Sequence, residues 1–435
     1  MEHHRISDNH KGKLIECTHP DDFSLISNKS LFELEKENPN LLVFPSSLSK
    51  TKDFIGEQSA FSFDSYIKKL STNNIMGFIG INETQLTISS RFHKDNNDYF
   101  LHYMLQKVFS INLFDLKTET NNDNIWDFLL IYLFPYYLKK AINQGLYKEY
   151  VRNNYNDANL KGAIDINRHL RENLPFKGVI AYSTREHTFD NKLTQLIRHT
   201  QEYIKSRNFA TVLNNDKETR EAVNLINFNT TTYNKQNRLK VIQNNIKYLN
   251  HPFYTEYEIL RKICLQILRR EGLNLEGKSQ NKVYGILFDG AWLWEEYLNT
   301  LLKDKFNHPE NKTGKYKEFL FENSQPIFPD FISKDSTIIV DAKYKHLKYS
   351  NDEYGRNDYY QLITYMYRFN SLSGYLIFPI DSKKTFIEKL IIKNTNGVVT
   401  KLGLAIPSDG FKDFNSFQNL INLSEIEIMK QFDCL

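Results

Sequence analysis

Two aspartates and a lysine in the last third of the chain have types and spacing that suit chemistry. In "FPDFISKDSTIIVDAKYK", Phe328 to Lys345, Asp330 follows a proline, and the apolar run Ile338-Ile339-Val340 ends abruptly in Asp341-Ala342-Lys343. The turn residues Ser333-Lys334-Asp335-Ser336 predict two strands folded back on each other, with Asp330 and Asp341 converging at one end of the ribbon. Asp341 and Lys343 stand two apart on a strand, so their side chains leave the same face. Ala342 points the other way and is small, which leaves its carbonyl approachable. Two carboxylates, one carbonyl and one ammonium would then surround a common point.

Hard oxygen donors of this kind suit Mg2+, which keeps several waters and accepts one or two carboxylates. Mn2+ can take its place. A lysine beside such a metal can orient or deprotonate water and offset charge developing on a phosphate. That is machinery for phosphodiester hydrolysis. Alone, the spacing also describes an ion pair at the surface end of a strand. Its surroundings weigh towards a site, because Pro329 precedes Asp330 and the predicted elements run helix–strands–helix–strand. Glu295 lies on the preceding helix among Trp292, Trp294, Tyr297 and Leu298. It either surfaces at the helix edge, as expected of Glu296, or reaches the metal from below. On the following helix Gln361 and Tyr365 are one turn apart and share a face. They are either a packing tyrosine with a solvent-facing glutamine, or a pair that braces the lysine or touches a DNA strand.

The elements that must position these residues occupy a chain of 435 residues, too long for one ordinary domain. Residues 1–115 alternate short apolar runs with polar turns and read as a strand-rich α+β region. Its clearest hairpin pairs Ile75–Ile81 with Gln85–Ile88 across Asn82-Glu83-Thr84. Residues 116–275 read as a mainly helical middle domain. It includes an apolar helix from Asn124 to Leu146 and an amphipathic helix opening near Asp190 or Asn191. Its cations Lys235, Arg238, Lys240, Lys247, Arg261, Lys262, Arg269 and Arg270, with Lys282 just beyond, mark either solvated helix faces or a phosphate-contacting surface. Residues 276–435 carry the site, with a helix expected over Gly285–Phe306, another over Asn357–Phe369 and a strand over Gly374–Ile380.

Composition excludes several classes. Hydrophobic residues make up 40% and aromatics 14%, ample for packed cores, and a net charge of +4 permits nucleic-acid contact without indicating it. Cys17, Cys264 and Cys434 form no C-x-x-C pair, which argues against a disulfide framework and fits a reducing cytosol. The N-terminal "MEHHRISDNHKGK" lacks the apolar core of a signal peptide. Phe128–Leu138 is apolar but too short to span a bilayer. A cytoplasmic location, without membrane contact, is expected. His3, His4 and His10 read as a mobile tail, and His187 and His199 have no nucleophile at a telling spacing.

At Pro329-Asp330…Asp341-Ala342-Lys343 the chain resembles the PD-(D/E)XK nuclease superfamily, and Gln361–Tyr365 resembles the Q-x-x-x-Y feature of its RecB-like branch. More closely it resembles the McrC family of McrBC-type restriction subunits and the related LlaJI-type subunits. "MGFIGINETQLTISSRF", "GLYKEYVRNNYNDANLKGAIDI", "FDNKLTQLIRHT", "LWEEYL", "IIVDAKYK" and "DYYQLITYMYRF" carry that likeness. The resemblance implies an α/β restriction-endonuclease-like domain after the α+β and helical regions. It implies Mg2+ held by Asp330, Asp341 and the Ala342 carbonyl, a catalytic Lys343, and Glu295 as the helix acid. It further implies a restriction, anti-phage DNA endonuclease subunit whose N-terminal half enters and stimulates an McrB-like AAA+ GTPase. No G-x-x-x-x-G-K-[ST] occurs, so the nucleotide site would be supplied in trans. A stand-alone RecB-like repair nuclease and a non-catalytic scaffold of the same fold are the competing readings.

Overall fold

The computed structural model describes residues 2–15, 19–38, 40–45, 59–82, 84–92, 98–109, 125–207, 209–269, 283–309, 318–322, 324–346 and 356–433. Cys17, Cys434, Glu83, Arg270 and Lys282 lie outside them. The architecture is mixed α and β, in two compact units: Met1–Trp126 with Lys278–Leu435, and Asp127–Gly277.

The first unit holds two principal sheets. The N-terminal one is ordered Glu2–Ser7, Thr84–Ser89, Ile75–Ile81, Val283–Asp289, Leu41–Phe44. The expected hairpin forms, Ile81 pairing with Thr84 and Gly77 with Ile88. Val283–Asp289 then runs antiparallel to Ile75–Ile81 and parallel to Leu41–Phe44. This strand is why residues 1–115 and 276–435, separate in the sequence reading, share one unit. Its buried N–H and C=O groups need partners, and N-terminal strands supply them on both sides. Gly77 and Gly285 permit the close pairing. Their φ values are +135° and +145°, and a Cβ on either would lie 2.2 Å from a carbonyl oxygen of the facing strand.

That strand also corrects the helix expected from Gly285. The helix begins only at Gly290 and ends at Leu302, with Asp289 as N-cap accepting from the Trp292 N–H at 2.7 Å. A strand buried on both faces shows no alternation, so its apolar run is hard to distinguish from a buried helix. The N-terminal histidines are corrected as well. His3 and His4 belong to strand Glu2–Ser7, which pairs in parallel with Thr84–Ser89, and His10 accepts from the Gly12 N–H.

The second sheet is ordered Phe306–Asn307, Phe331–Ser333, Ile338–Ala342, Ser373–Asp381, Val398–Ile406, Phe386–Ile391. Ile338–Ala342 pairs in parallel with Ser373–Asp381, and a parallel pair needs a crossover. Helix Arg356–Arg368 lies in that connection, and Leu362, Tyr365 and Met366, at helical spacing, enter the sheet's core with Ile339 and Leu376. Helix Phe414–Met429 follows. Its buried Glu425 accepts from Tyr103 and Tyr297, both at 2.7 Å, and pairs with Lys107 at 3.1 Å.

The second unit combines helices with a three-stranded sheet, more strand than a mainly helical domain implies. Glu149–Asp157 and Ile180–Thr188 form a long antiparallel pair, and Ala163–Ile164 joins as a third strand. The helices include Lys192–Ser206, capped by Asn191, and Glu256–Arg269. One cation of the basic stretch is structural: Arg261 is buried and donates to Glu258 at 2.6 and 2.7 Å and to the Asn245 carbonyl. Among the described residues no helix is long and apolar enough to cross a membrane.

Candidate active site

The hairpin forms as its turn residues predict, with Phe331 opposite Val340 and Ile332 opposite Ile339. Continuing that antiparallel register by one residue sets Asp330 across from Asp341. The Ala342 N–H donates to Asp330 Oδ2 at 2.7 Å, closing the end of the ribbon. Asp341 is buried at 1% exposure, and Asp330 and Glu295 at 8% each, so this is no surface ion pair. Lys343 Nζ lies 2.6 Å from Asp341 Oδ2.

The lysine is braced from the crossover helix. Its Nζ donates to Gln361 Oε1 at 3.0 Å, and Gln361 Nε2 donates to the Tyr365 hydroxyl at 2.7 Å. Tyr365 also accepts from the Phe328 N–H at 3.4 Å, just ahead of Asp330 in the chain. The chain of contacts therefore links the segment just before the hairpin's first strand to the residue just after its second. Of the alternatives for Gln361 and Tyr365, the geometry gives the brace.

Electrostatics tie the acids together. Burial pushes the Asp330 carboxyl well above its ordinary range, and the negative charges of Glu295 and Asp341 push it further. Glu295 thus acts on Asp330 and does not surface with Glu296. Burial also raises Asp341, against the pull of Lys343 and of a hydrogen bond with Asp330. Burial disfavours the charge on Lys343, but Asp341 and Asp330 outweigh it and hold the amine protonated. Burial pushes Tyr365 up to about 12, with a smaller push from the two aspartates, so its hydroxyl stays neutral.

Three buried acids meet near one ammonium, and burial raises the pKa of both aspartates, so a cation bound among them would favour their ionised forms. Asp341 Oδ2, although ion-paired, makes no hydrogen bond of ordinary geometry. Among the described residues no group of three or more His, Cys, Asp or Glu side chains forms a ready cage. Asp330, Asp341 and the Ala342 carbonyl are hard oxygen donors of the kind that Mg2+ accepts beside its retained waters.

Sequence reasoning missed His308. Its ring stacks on Phe331 at 4.7 Å, and its Nδ1 lies 2.7 Å from the Asp330 carbonyl. A carbonyl only accepts, so Nδ1 carries the proton. Its Nε2 is 3.6 Å from Glu296. Burial works against the charged ring, but Glu296 and the Asp330 carbonyl outweigh it and raise the pKa. A lone histidine 22 residues before Asp330 has no motif spacing that would have revealed it.

Residues 70–379 match the family model described as "McrBC 5-methylcytosine restriction system component". No curated protein matches the chain. Among solved structures, a half-complex from the tetradecameric assembly of Thermococcus gammatolerans McrB AAA+ hexamers with bound McrC is similar. Identity is 15%, coverage 97% of this chain and 99% of that one, and the TM-score 0.45. A cryo-EM structure of the Thermococcus gammatolerans McrBC complex is similar at 16% identity, covering 69% of this chain and 87% of that one, with a TM-score of 0.32.

Proposed function

The chain belongs to the McrBC 5-methylcytosine restriction system component family, and on that premise we propose that it is the system's Mg2+-dependent DNA endonuclease subunit. The observation that carries this reading is the buried meeting of Asp330, Asp341 and Lys343 at the end of one hairpin, braced by Gln361 and Tyr365. The mixed sheet, with helix Gly290–Leu302 before it and crossover helix Arg356–Arg368 within it, supports a PD-(D/E)XK type of domain.

Asp330, Asp341 and the Ala342 carbonyl would hold Mg2+, or Mn2+ in its place, with Glu295 as the accessory acid. A metal bound there polarises a phosphate oxygen and makes its bound water more acidic. Lys343 remains an ammonium and offsets charge that builds on the phosphate as the P–O bond breaks. Gln361 aims that ammonium, and Tyr365 fixes the amide so that its oxygen faces the lysine.

The partner would be an McrB-like AAA+ GTPase supplied in trans, as in the Thermococcus assembly. The test is plasmid cleavage with Mg2+, by the full chain alone and with the co-expressed GTPase and GTP. Cleavage confined to the complete mixture supports the restriction subunit. Cleavage by the chain alone would replace it with an autonomous nuclease, and no cleavage by well-folded complex would leave a scaffold.

A further inference from the structure

Lys343 is held from behind as well as from the crossover helix. Its N–H donates to the Ile377 carbonyl at 2.9 Å, and its own carbonyl accepts from the Lys345 N–H at 2.9 Å. The second bond closes a three-residue turn with Tyr344 at its centre. Tyr344 follows Lys343 directly, so the seat of its ring constrains the backbone that carries Lys343.

Tyr344 is seated in the N-terminal sheet. It is 6% exposed, its hydroxyl is 2.8 Å from Ser90 Oγ, and it donates to Met76 Sδ at 3.3 Å. Ser90 follows strand Thr84–Ser89, and its N–H donates to the buried Asp98 at 2.8 Å. The Arg91 guanidinium lies 4.8 Å from the ring centroid and is itself fixed by Asp8 at 2.6 Å. Phe92 meets the ring edge-on at 5.1 Å. On another side is Gly290, where a Cβ would stand 3.0 Å from the ring, at the start of the helix that carries Glu295.

We propose that Tyr344 is a positioning residue for Lys343, anchoring the catalytic strand into the N-terminal sheet through Ser90 and Met76. The inference rests on the nuclease reading above. It makes Met76, Ser90, Arg91 and Phe92 part of what shapes the active site.

The experiment uses the full chain with its co-expressed GTPase and compares Tyr344→Phe, Ser90→Ala, the double variant and Lys343→Ala. Tyr344→Phe keeps the ring and removes only the hydroxyl. Because a displacement of about an ångström can slow catalysis up to about a hundredfold, kcat should fall by about tenfold or more. KM for DNA and GTPase binding should stay unchanged, a split that simple destabilisation would not give. The double variant should lose little more than Tyr344→Phe alone, because that substitution already removes the contact with Ser90. Wild-type kcat in Tyr344→Phe and Ser90→Ala, with Lys343→Ala inactive, would overturn the anchoring inference and leave the nuclease reading intact. Additive losses, or losses that match the unfolded fraction at assay temperature, would also overturn it. Wild-type cleavage by Lys343→Ala would remove the nuclease reading itself.

Discussion

Replacing Gln361 by methionine keeps its length and most of its volume but removes the oxygen that accepts from Lys343 at 3.0 Å. A hydrogen bond to a charged group contributes about 1.5–3 kcal/mol when buried. Lys343 keeps its ion pair with Asp341, so its charge survives and only its aim is lost. If the full contribution is realised in the transition state, the rate falls about tenfold to a hundredfold, since each ~1.4 kcal/mol is a factor of ten. The assay is single-turnover cleavage of plasmid DNA by the complex, over a series of Mg2+ concentrations. The maximal rate should drop while the Mg2+ midpoint stays put, because Gln361 is bonded to the lysine and no carboxylate. A shifted midpoint with an unchanged maximal rate would refute the reasoning, and would assign Gln361 to the metal side of the site.

Other outcomes follow from the same geometry. His308→Ala should slow cleavage by about tenfold, and His308→Asn, whose amide can replace the Nδ1 donor to the Asp330 carbonyl, should recover part of that loss. An Asn variant no better than Ala would show that ring stacking on Phe331, not the hydrogen bond, is what matters. Glu425→Leu strands the buried Tyr297 donor at about 1–3 kcal/mol, leaves Tyr103 only its Asn422 acceptor, and should lower the thermal midpoint by several degrees. An unchanged midpoint would mean that Tyr103 and Tyr297 find other acceptors. Burial pushes Asp98 up to about 7, chiefly because its carboxylate is desolvated. The folded chain therefore binds more protons than the unfolded one between about pH 4 and 7, and this residue's contribution to stability falls as pH rises through that window. Asp98→Asn should flatten the decline in urea midpoint between pH 5 and 8. An identical slope in both proteins would mean that Asp98 is ionised throughout.

The geometry of the candidate site was legible in the sequence because its determinants are local. A tetrapeptide turn sets the register that opposes Asp330 and Asp341, and Lys343, directly after strand Ile338–Ala342, pairs with Asp341. One helical turn separates Gln361 from Tyr365 and brings the pair onto the lysine. What stayed hidden is non-local. Val283–Asp289 is a strand because N-terminal strands lie on both sides of it, and nothing within its seven residues says so. The same distant pairing merges two regions that composition and length separate. His308 reaches Asp330 through folding alone, and Tyr344 follows the motif lysine yet acts on Ser90, 254 residues away. Glu295 is buried, and its charge acts on Asp330, a placement that its neighbours in sequence left open.

The most direct measurement is Mg2+-dependent plasmid cleavage by the assembled complex carrying wild-type chain or Asp341→Asn. The substitution preserves shape and removes one negative charge from the buried acid cluster. Cleavage should fall by more than the ~10–100-fold typical of a lost outer-shell partner, with GTPase binding and thermal midpoint retained. Wild-type cleavage by Asp341→Asn would mean that the two aspartates only close a hairpin, and that the active site lies elsewhere.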